Sequence, residues 1–165
     1  MTSDYEWRVE PGEWKTLAEQ RLAARRLLSQ LIGFEAEVEH SPEGVPFIPA
    51  HPHLYVSISH CRSAVAVAVS RVGAVGIDVE SRRRVSRGLM ERVCSAEELA
   101  TIDAATDSTM CFLQLWTRKE AALKCLGTGI KGFESMVQAL STPGLTVSNL
   151  ACHQADIVAA LARAE

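Results

Sequence analysis

Leucines and alanines recur at helical spacing over 13–32, Leu17, Leu28 and Leu31 among them, and Gly33 stands where such a helix would stop. The pattern then dissolves. Residues 41–53 hold four prolines and a glycine and predict an irregular loop. Alternation returns at 54–59, a short apolar run fills 64–70, and alternation resumes at 75–80, so three strands are expected. Arg71, Val72 and Gly73 between the last two suit a hairpin in which the glycine takes a positive φ. Helices are predicted over 86–94 and 95–104, the second opening on Ser95-Ala96-Glu97-Glu98, a capping box with its carboxylate three residues after the serine. The clearest helix spans 110–126 and ends at Gly127. Strands predicted near 145–152 and 155–161 close the chain, and strands, helices and strands in that order imply an α+β layout.

Composition adds boundaries but no chemistry. A chain of 165 residues holds one domain or two small halves sharing a core. With 47% apolar and 22% charged residues it has the balance of a soluble globular chain, which argues against disorder, collagen and coiled coil. Its longest apolar stretch, 64–69, is too short to cross a bilayer, and the first residues lack the basic-then-apolar order of a secretory signal. The five cysteines are odd in number, widely spaced and never in a Cys-x-x-Cys pair. Neither a disulfide framework nor a zinc site is expected, and a reducing cytoplasm follows. A net charge of −3 gives no reason to expect nucleic acid. The charge is uneven, however. Basic residues collect at Arg21, Arg25 and Arg26, at Arg82, Arg83, Arg84 and Arg87, and at Arg118, Lys119, Lys124 and Lys131, enough to assemble a site for an anionic ligand.

Three segments carry candidate chemistry. In Val75-Gly76-Ile77-Asp78-Val79-Glu80, strand alternation sets Asp78 and Glu80 on one face, roughly 7 Å apart. Two readings fit: a solvated face with Glu80 paired to Arg82 or Arg84, or carboxylates that share a hard cation such as Mg²⁺. On the helix from Met110, residues Phe112, Leu115, Trp116, Leu123 and Leu126 form one apolar arc with Lys119 in its middle. Glu120 and Lys124 lie one turn apart at its margin. Lys119 could snorkel beside a surface Glu120–Lys124 pair, or a carboxylate between two lysines could handle phosphate and metal. The strand end Ser57-Ile58-Ser59-His60 offers a histidine that is structural or solvated, or that donates to a phosphate or acts as a base. No nucleophile elbow, Walker loop or dinucleotide glycine motif is present, so any grip on phosphate must come from side chains and metal.

Taken in order and spacing, Ser57-Ile58-Ser59-His60, Gly76-Ile77-Asp78-Val79-Glu80 and Trp116-Thr117-Arg118-Lys119-Glu120-Ala121-Ala122-Leu123-Lys124 resemble the 4′-phosphopantetheinyl transferases of the surfactin-synthetase-activating type. The likeness implies a fold of two pseudo-symmetric α+β halves, each a small, mainly antiparallel sheet packed on a long helix. Here they would be 1–73 and 74–165, meeting near Gly73. It implies an enzyme that moves the phosphopantetheine arm of coenzyme A onto a serine of an apo acyl or peptidyl carrier protein, in a cleft between the halves. Asp78, Glu80 and Glu120 would hold Mg²⁺, and Glu120 would also serve as base for the carrier serine, directly or through water. Lys124 would neutralise the transferred phosphate and leaving group. His60 and Ser59 would contact phosphate, and Arg25 would contact the 3′-phosphate of coenzyme A. Gly44 and Pro46, in Glu43-Gly44-Val45-Pro46, would form the loop against adenine. Trp116 is expected to pack. Such a reaction asks mainly for positioning and charge neutralisation, which this residue set could supply.

Two departures stand out. Val45 replaces the family's usual lysine, a loss that Arg21 or Arg62 could offset. The region before the Arg25 helix is short, so the first half could be minimal or lean on a second copy; a monomer or weak homodimer is expected. Arg82 to Arg84 with Arg87 could dock an acidic carrier. The rival readings are a non-catalytic relative that binds coenzyme A or a carrier, and a metal-dependent phosphohydrolase.

Overall fold

A computed structural model describes residues 4–129 and 131–165. Residues 1–3 and 130, which fall within the expected halves, lie outside the described residues. In chain order the elements are β1 (Tyr5–Pro11), α1 (Leu17–Ile32), the short strands β2 (Glu39–His40) and β3 (Pro46–Phe47), β4 (Tyr55–Cys61), β5 (Ala64–Ser70) and β6 (Val75–Ser81). They continue with α2 (Arg87–Val93), α3 (Ala96–Ala104), α4 (Ser108–Leu126), α5 (Phe133–Gln138), β7 (Leu145–Leu150) and β8 (Ile157–Ala164).

The fold is α+β, with two antiparallel sheets ordered β1-β5-β4 and β6-β8-β7 and a small β2-β3 pair. Each three-stranded sheet has its first strand at one edge and its last strand in the middle. Each also pairs with one long helix that follows its first strand, α1 for one and α4 for the other. β5 shows how the two units meet. Its valines Val65, Val67 and Val69 pack with Leu27 and Leu28 of α1. Its alanines Ala64, Ala66 and Ala68 face the opposite way and pack with Ile77 and Val79 of β6 and with Ile157, Ala159 and Leu161 of β8. Period-two alternation thus separates large residues for a helix from small ones that let a second sheet come close. Serine hydroxyls of β4 complete the seam: Ser57 Oγ accepts the Ile77 N–H at 3.0 Å and Ser59 Oγ accepts the Val79 N–H at 3.2 Å. These are β6 donors on the edge away from β8, so no buried N–H is orphaned there.

The helices begin where their caps dictate. Thr16 and Glu19 form a capping box at α1, which starts four residues later than the periodicity predicts. Ser95 and Glu98 form the predicted box at α3. Gly127, at φ 67°, ends α4 as expected.

Three expectations fail. β5 and β6 are not a hairpin: β5 pairs with β1 and β4 on its two edges, and β6 pairs with β8. Gly73 accordingly has no positive φ, because the 71–74 link carries the chain from one sheet to the other. The loop 41–53 contains β3, which folds back on β2 through Gly44 at φ 85°. Finally, β1 and α5 form where no element was expected. Among the described residues, no helix is long and apolar enough to cross a membrane.

Candidate active site

Gly76 seats α4 on β6. A Cβ there would lie 2.0 Å from the Ala121 carbonyl oxygen and 2.5 Å from the Cys125 nitrogen, so only glycine lets the helix backbone come this near. A glycine within an alternating strand is the sequence signal for such an approach. Lys124, one turn beyond Glu120, consequently reaches β6, donating to Asp78 Oδ1 at 2.7 Å and to the Ile77 carbonyl at 3.1 Å. Ser59 of β4 donates its hydroxyl to the same Asp78 oxygen at 2.8 Å. Asp78 is only 7% exposed, which rules out the solvated-face reading for it.

Glu120 stands beside this pair without a hydrogen bond to Lys124, so the surface Glu120–Lys124 pair does not form. Its carboxyl is pushed up to about 7, first by burial and then by the charge of Asp78, with Lys124 pulling it back and Glu80 adding to the rise. Glu80 lies at the margin and accepts from Arg83 at 3.2 Å, rather than from Arg82 or Arg84. Lys124 is paired with Asp78 and Arg83 with Glu80, so of the three carboxyls at this end of β6 Glu120 is left with no ion pair among the described residues. Among the described residues, no three His, Cys, Asp or Glu side chains converge as a finished metal cage. The donor chemistry nevertheless fits a hard, partly hydrated divalent cation: all oxygen, with a carboxyl that burial first and neighbouring negative charge second make reluctant to ionise.

A cavity of about 480 Å³ opens alongside. Arg21 and Arg25 of α1 line it, as do Gly44, Val45 and Pro46, His60 of β4 and Lys124, Gly127 and Gly129 from the end of α4. Of the residues expected to bind the nucleotide, Arg25, Gly44, Pro46, His60 and Lys124 are therefore gathered on one wall system. Ser59 is not among them: its hydroxyl is committed to Asp78 and Val79. Val45 stands in the wall, and Arg21 lines the cavity whereas Arg62 does not. His60 Nδ1 lies 3.0 Å from Gln20 Oε1, a partner that nothing in the local sequence announces. Burial, then the charges of Lys124 and Arg21, hold the His60 pKa below its ordinary value.

Two other groups take places the sequence left open. Lys119 does not snorkel. It is 0% exposed, and its Nζ donates to the Val93 carbonyl and to Glu98 Oε2, each at 2.7 Å. The arginine run is largely engaged: Arg82 bonds Asp107 and Asp156, Arg83 bonds Glu80, and Arg87 bonds Glu91 and Asp103. Docking a carrier there would require these exposed pairs to exchange partners.

Fold and site together describe an α+β protein of two packed sheets, with a cavity lined by Arg21, Arg25, His60 and Lys124 next to a carboxylate cluster. A model of the 4′-phosphopantetheinyl transferase superfamily matches residues 74–159, the stretch that holds Asp78, Glu80, Glu120 and Lys124. The chain belongs to that superfamily. It is 32% identical over 123 residues to the 4′-phosphopantetheinyl transferase psf-1 of Bacillus pumilus, which covers 73% of this chain and 52% of that relative. It is 34% identical over 113 residues to the 4′-phosphopantetheinyl transferase AcpT of Escherichia coli O157:H7 (66% of this chain, 58% of the relative). With AcpT of Escherichia coli K12 the identity is 37% over 114 residues, at the same shares of 66% and 58%. The chain thus spans a little over half the length of these relatives.

Proposed function

We propose that this protein transfers the 4′-phosphopantetheine arm of coenzyme A to a serine of an apo acyl or peptidyl carrier protein, releasing adenosine 3′,5′-bisphosphate. The observation that carries the reading is that Lys124 joins two features: it lines a cavity with Arg21, Arg25 and His60, and it bonds Asp78, beside which Glu80 and Glu120 stand. Arg25, with Arg21 in place of the missing lysine, would hold the 3′-phosphate. Gly44 and Pro46 would bound the adenine, and His60 would donate to a phosphate oxygen.

Glu120 in its carboxylate form takes the proton of the carrier serine, whose oxygen forms a bond to the phosphorus that bears pantetheine. The bond from that phosphorus to the bridging oxygen breaks, and the electron pair leaves on the bisphosphate, where Lys124 offsets the growing charge. Ser59 acts on Asp78 rather than on the nucleotide. Asp78, Glu80 and Glu120 would hold Mg²⁺, which when bound supplies charge neutralisation to the phosphate oxygens and lowers the pKa of Glu120. Unpaired Cys61, Cys94, Cys111, Cys125 and Cys152 support a reducing cytoplasm as the setting. We divide the two halves at Gly73, between the sheets.

Incubation with several apo carriers, coenzyme A and Mg²⁺, followed by mass measurement of the carrier, tests this. A mass gain of one phosphopantetheine that Glu120→Gln abolishes is expected. No gain with any carrier type, under conditions where coenzyme A binds, would replace the enzyme with a binding protein. Release of the bisphosphate without a carrier would make it a phosphohydrolase.

A further inference from the structure

Gln20 precedes Arg21 on α1 and is nearly buried, and its side-chain amide meets His60 Nδ1 at 3.0 Å. Among the described residues the other ring nitrogen, Nε2, has no hydrogen-bond partner, and the ring lines the cavity with Arg21, Arg25 and Lys124. None of the roles assigned above uses Gln20. Its chemistry is distinctive, because a primary amide presents an acceptor oxygen and a donor nitrogen at nearly interchangeable positions. A carboxylate in its place could only accept from Nδ1, and a lysine or arginine could only donate.

We propose that Gln20 is a positioning residue that keeps His60 Nδ1 hydrogen-bonded in either tautomer, so that the occupant of the cavity can select the one it needs. With the amide oxygen toward the ring, Nδ1 carries the proton and Nε2 shows the cavity a lone pair. With the amide turned over, its NH₂ donates to Nδ1, and Nε2–H points into the cavity as a donor. A phosphate oxygen only accepts, so an occupant of that kind selects the second arrangement, and a neutral His60 binds it with both ring nitrogens satisfied. The groups facing the ring make the neutral form the relevant one. Burial acts first, the cationic Lys124 from α4 and Arg21 from α1 act in the same direction, and a backbone hydrogen bond and Asp78 oppose them more weakly.

The inference rests on the reading of the cavity as a phosphate site. ¹⁵N NMR of the His60 ring, with adenosine 3′,5′-bisphosphate as the probe, separates the two. In the wild type near neutral pH, the bound state should show a protonated Nε2 and an unprotonated Nδ1. Gln20→Met keeps length and burial but removes both hydrogen-bonding groups. It should weaken binding about tenfold, the loss of one good hydrogen bond, and leave His60 as a mixture of tautomers. Gln20→Glu fixes an acceptor against Nδ1, so the bound ring should appear with both nitrogens protonated. Bound wild type with Nδ1 protonated and Nε2 bare would overturn the assignment, as would the wild-type tautomer and affinity in Gln20→Met. If the bisphosphate shifts neither His60 nor the Arg21 and Arg25 resonances, the phosphate reading itself falls, and this inference falls with it.

Discussion

Lys119 and Lys124 stand five residues apart on α4, and each is bonded in the same way. Lys119 Nζ donates to a backbone carbonyl and a carboxylate, Val93 and Glu98; Lys124 Nζ donates to Ile77 and Asp78. Five residues turn a helix by roughly 140°, so the two pairs lie on nearly opposite sides of it. Their surroundings differ in two respects. Lys119 is sealed and its charge is matched one for one by Glu98, whose second duty is to cap α3. Lys124 opens to the cavity, and beside its partner Asp78 stands a second carboxyl, Glu120, that has no ion pair among the described residues, while Glu80 is held by Arg83. A lysine–carboxylate pair is thus no mark of function by itself. Access and an extra carboxyl separate the pair proposed to act in transfer from the one that pins the helix, whose Lys119 is the immediate neighbour of Glu120.

The sharpest way to break this comparison is to remove each ammonium in turn. Lys124→Met should lower transfer to the carrier by about 10²- to 10³-fold, the usual loss when one preorganised electrostatic stabiliser is deleted. The variant should also lose some stability in metal-free buffer, because Asp78 keeps only Ser59 as a partner. Millimolar Mg²⁺ should restore that stability without restoring turnover. Urea denaturation with and without Mg²⁺, alongside carrier mass measurement, checks both. Unchanged turnover would remove Lys124 from the site.

Lys119→Met should do the reverse. Removing the buried ammonium costs up to about 3 kcal/mol, and Mg²⁺ should return little of it, because a lone, partly exposed Glu98 offers a cation one carboxylate where Asp78 and Glu120 offer two. Activity per folded molecule should fall far less than in Lys124→Met. If Lys119→Met instead matched Lys124→Met in turnover while remaining fully folded, Lys119 would have to act in the chemistry and the comparison would collapse.

How much of this was legible in the sequence depends on distance along the chain. The α4 pattern, the Ser95–Glu98 box and the strands β4 to β6 rest on neighbours within a few residues, and periodicity exposes them. The small residues of β5 and Gly76 also carry readable meaning, because a glycine or alanine in a strand advertises a close approach. Strand pairing does not. The 71–73 turn chemistry fits a hairpin equally well, and β5 forms none with β6 because both of its edges are taken by β1 and β4. β1 was legible in principle, since Tyr5, Trp7 and Val9 alternate with Glu6, Arg8 and Glu10 at the period of a strand. Asp78 with Glu120 and Lys124 was found through motif resemblance, whereas the sealing of Lys119 and the Gln20–His60 contact join segments 21 to 40 residues apart with no local trace.

The smallest expected effect concerns pH and sharpens the same contrast. In metal-free protein Glu120 titrates near 7 rather than near its ordinary 4.5. Between those values the unfolded chain has already released this proton while the folded chain still holds it. The folded state then binds more protons, so stability falls as pH rises from about 4.5 to about 7 and levels off above. The full span is about 3 kcal/mol, reduced to about 2 kcal/mol by solvent around a side chain that is not sealed. Urea midpoints at pH 5 and pH 8 in the presence of a chelator should show this slope in the wild type. Glu120→Gln should remove it, being relatively more stable at the higher pH. Lys119→Met should keep it in full, because the sealed pair contributes nothing to Glu120's excess of negative neighbours. Added Mg²⁺ should flatten the wild-type profile by favouring the carboxylate. An identical slope in wild type and Glu120→Gln would assign the titration elsewhere and leave the extra carboxyl beside Lys124 without its observable consequence.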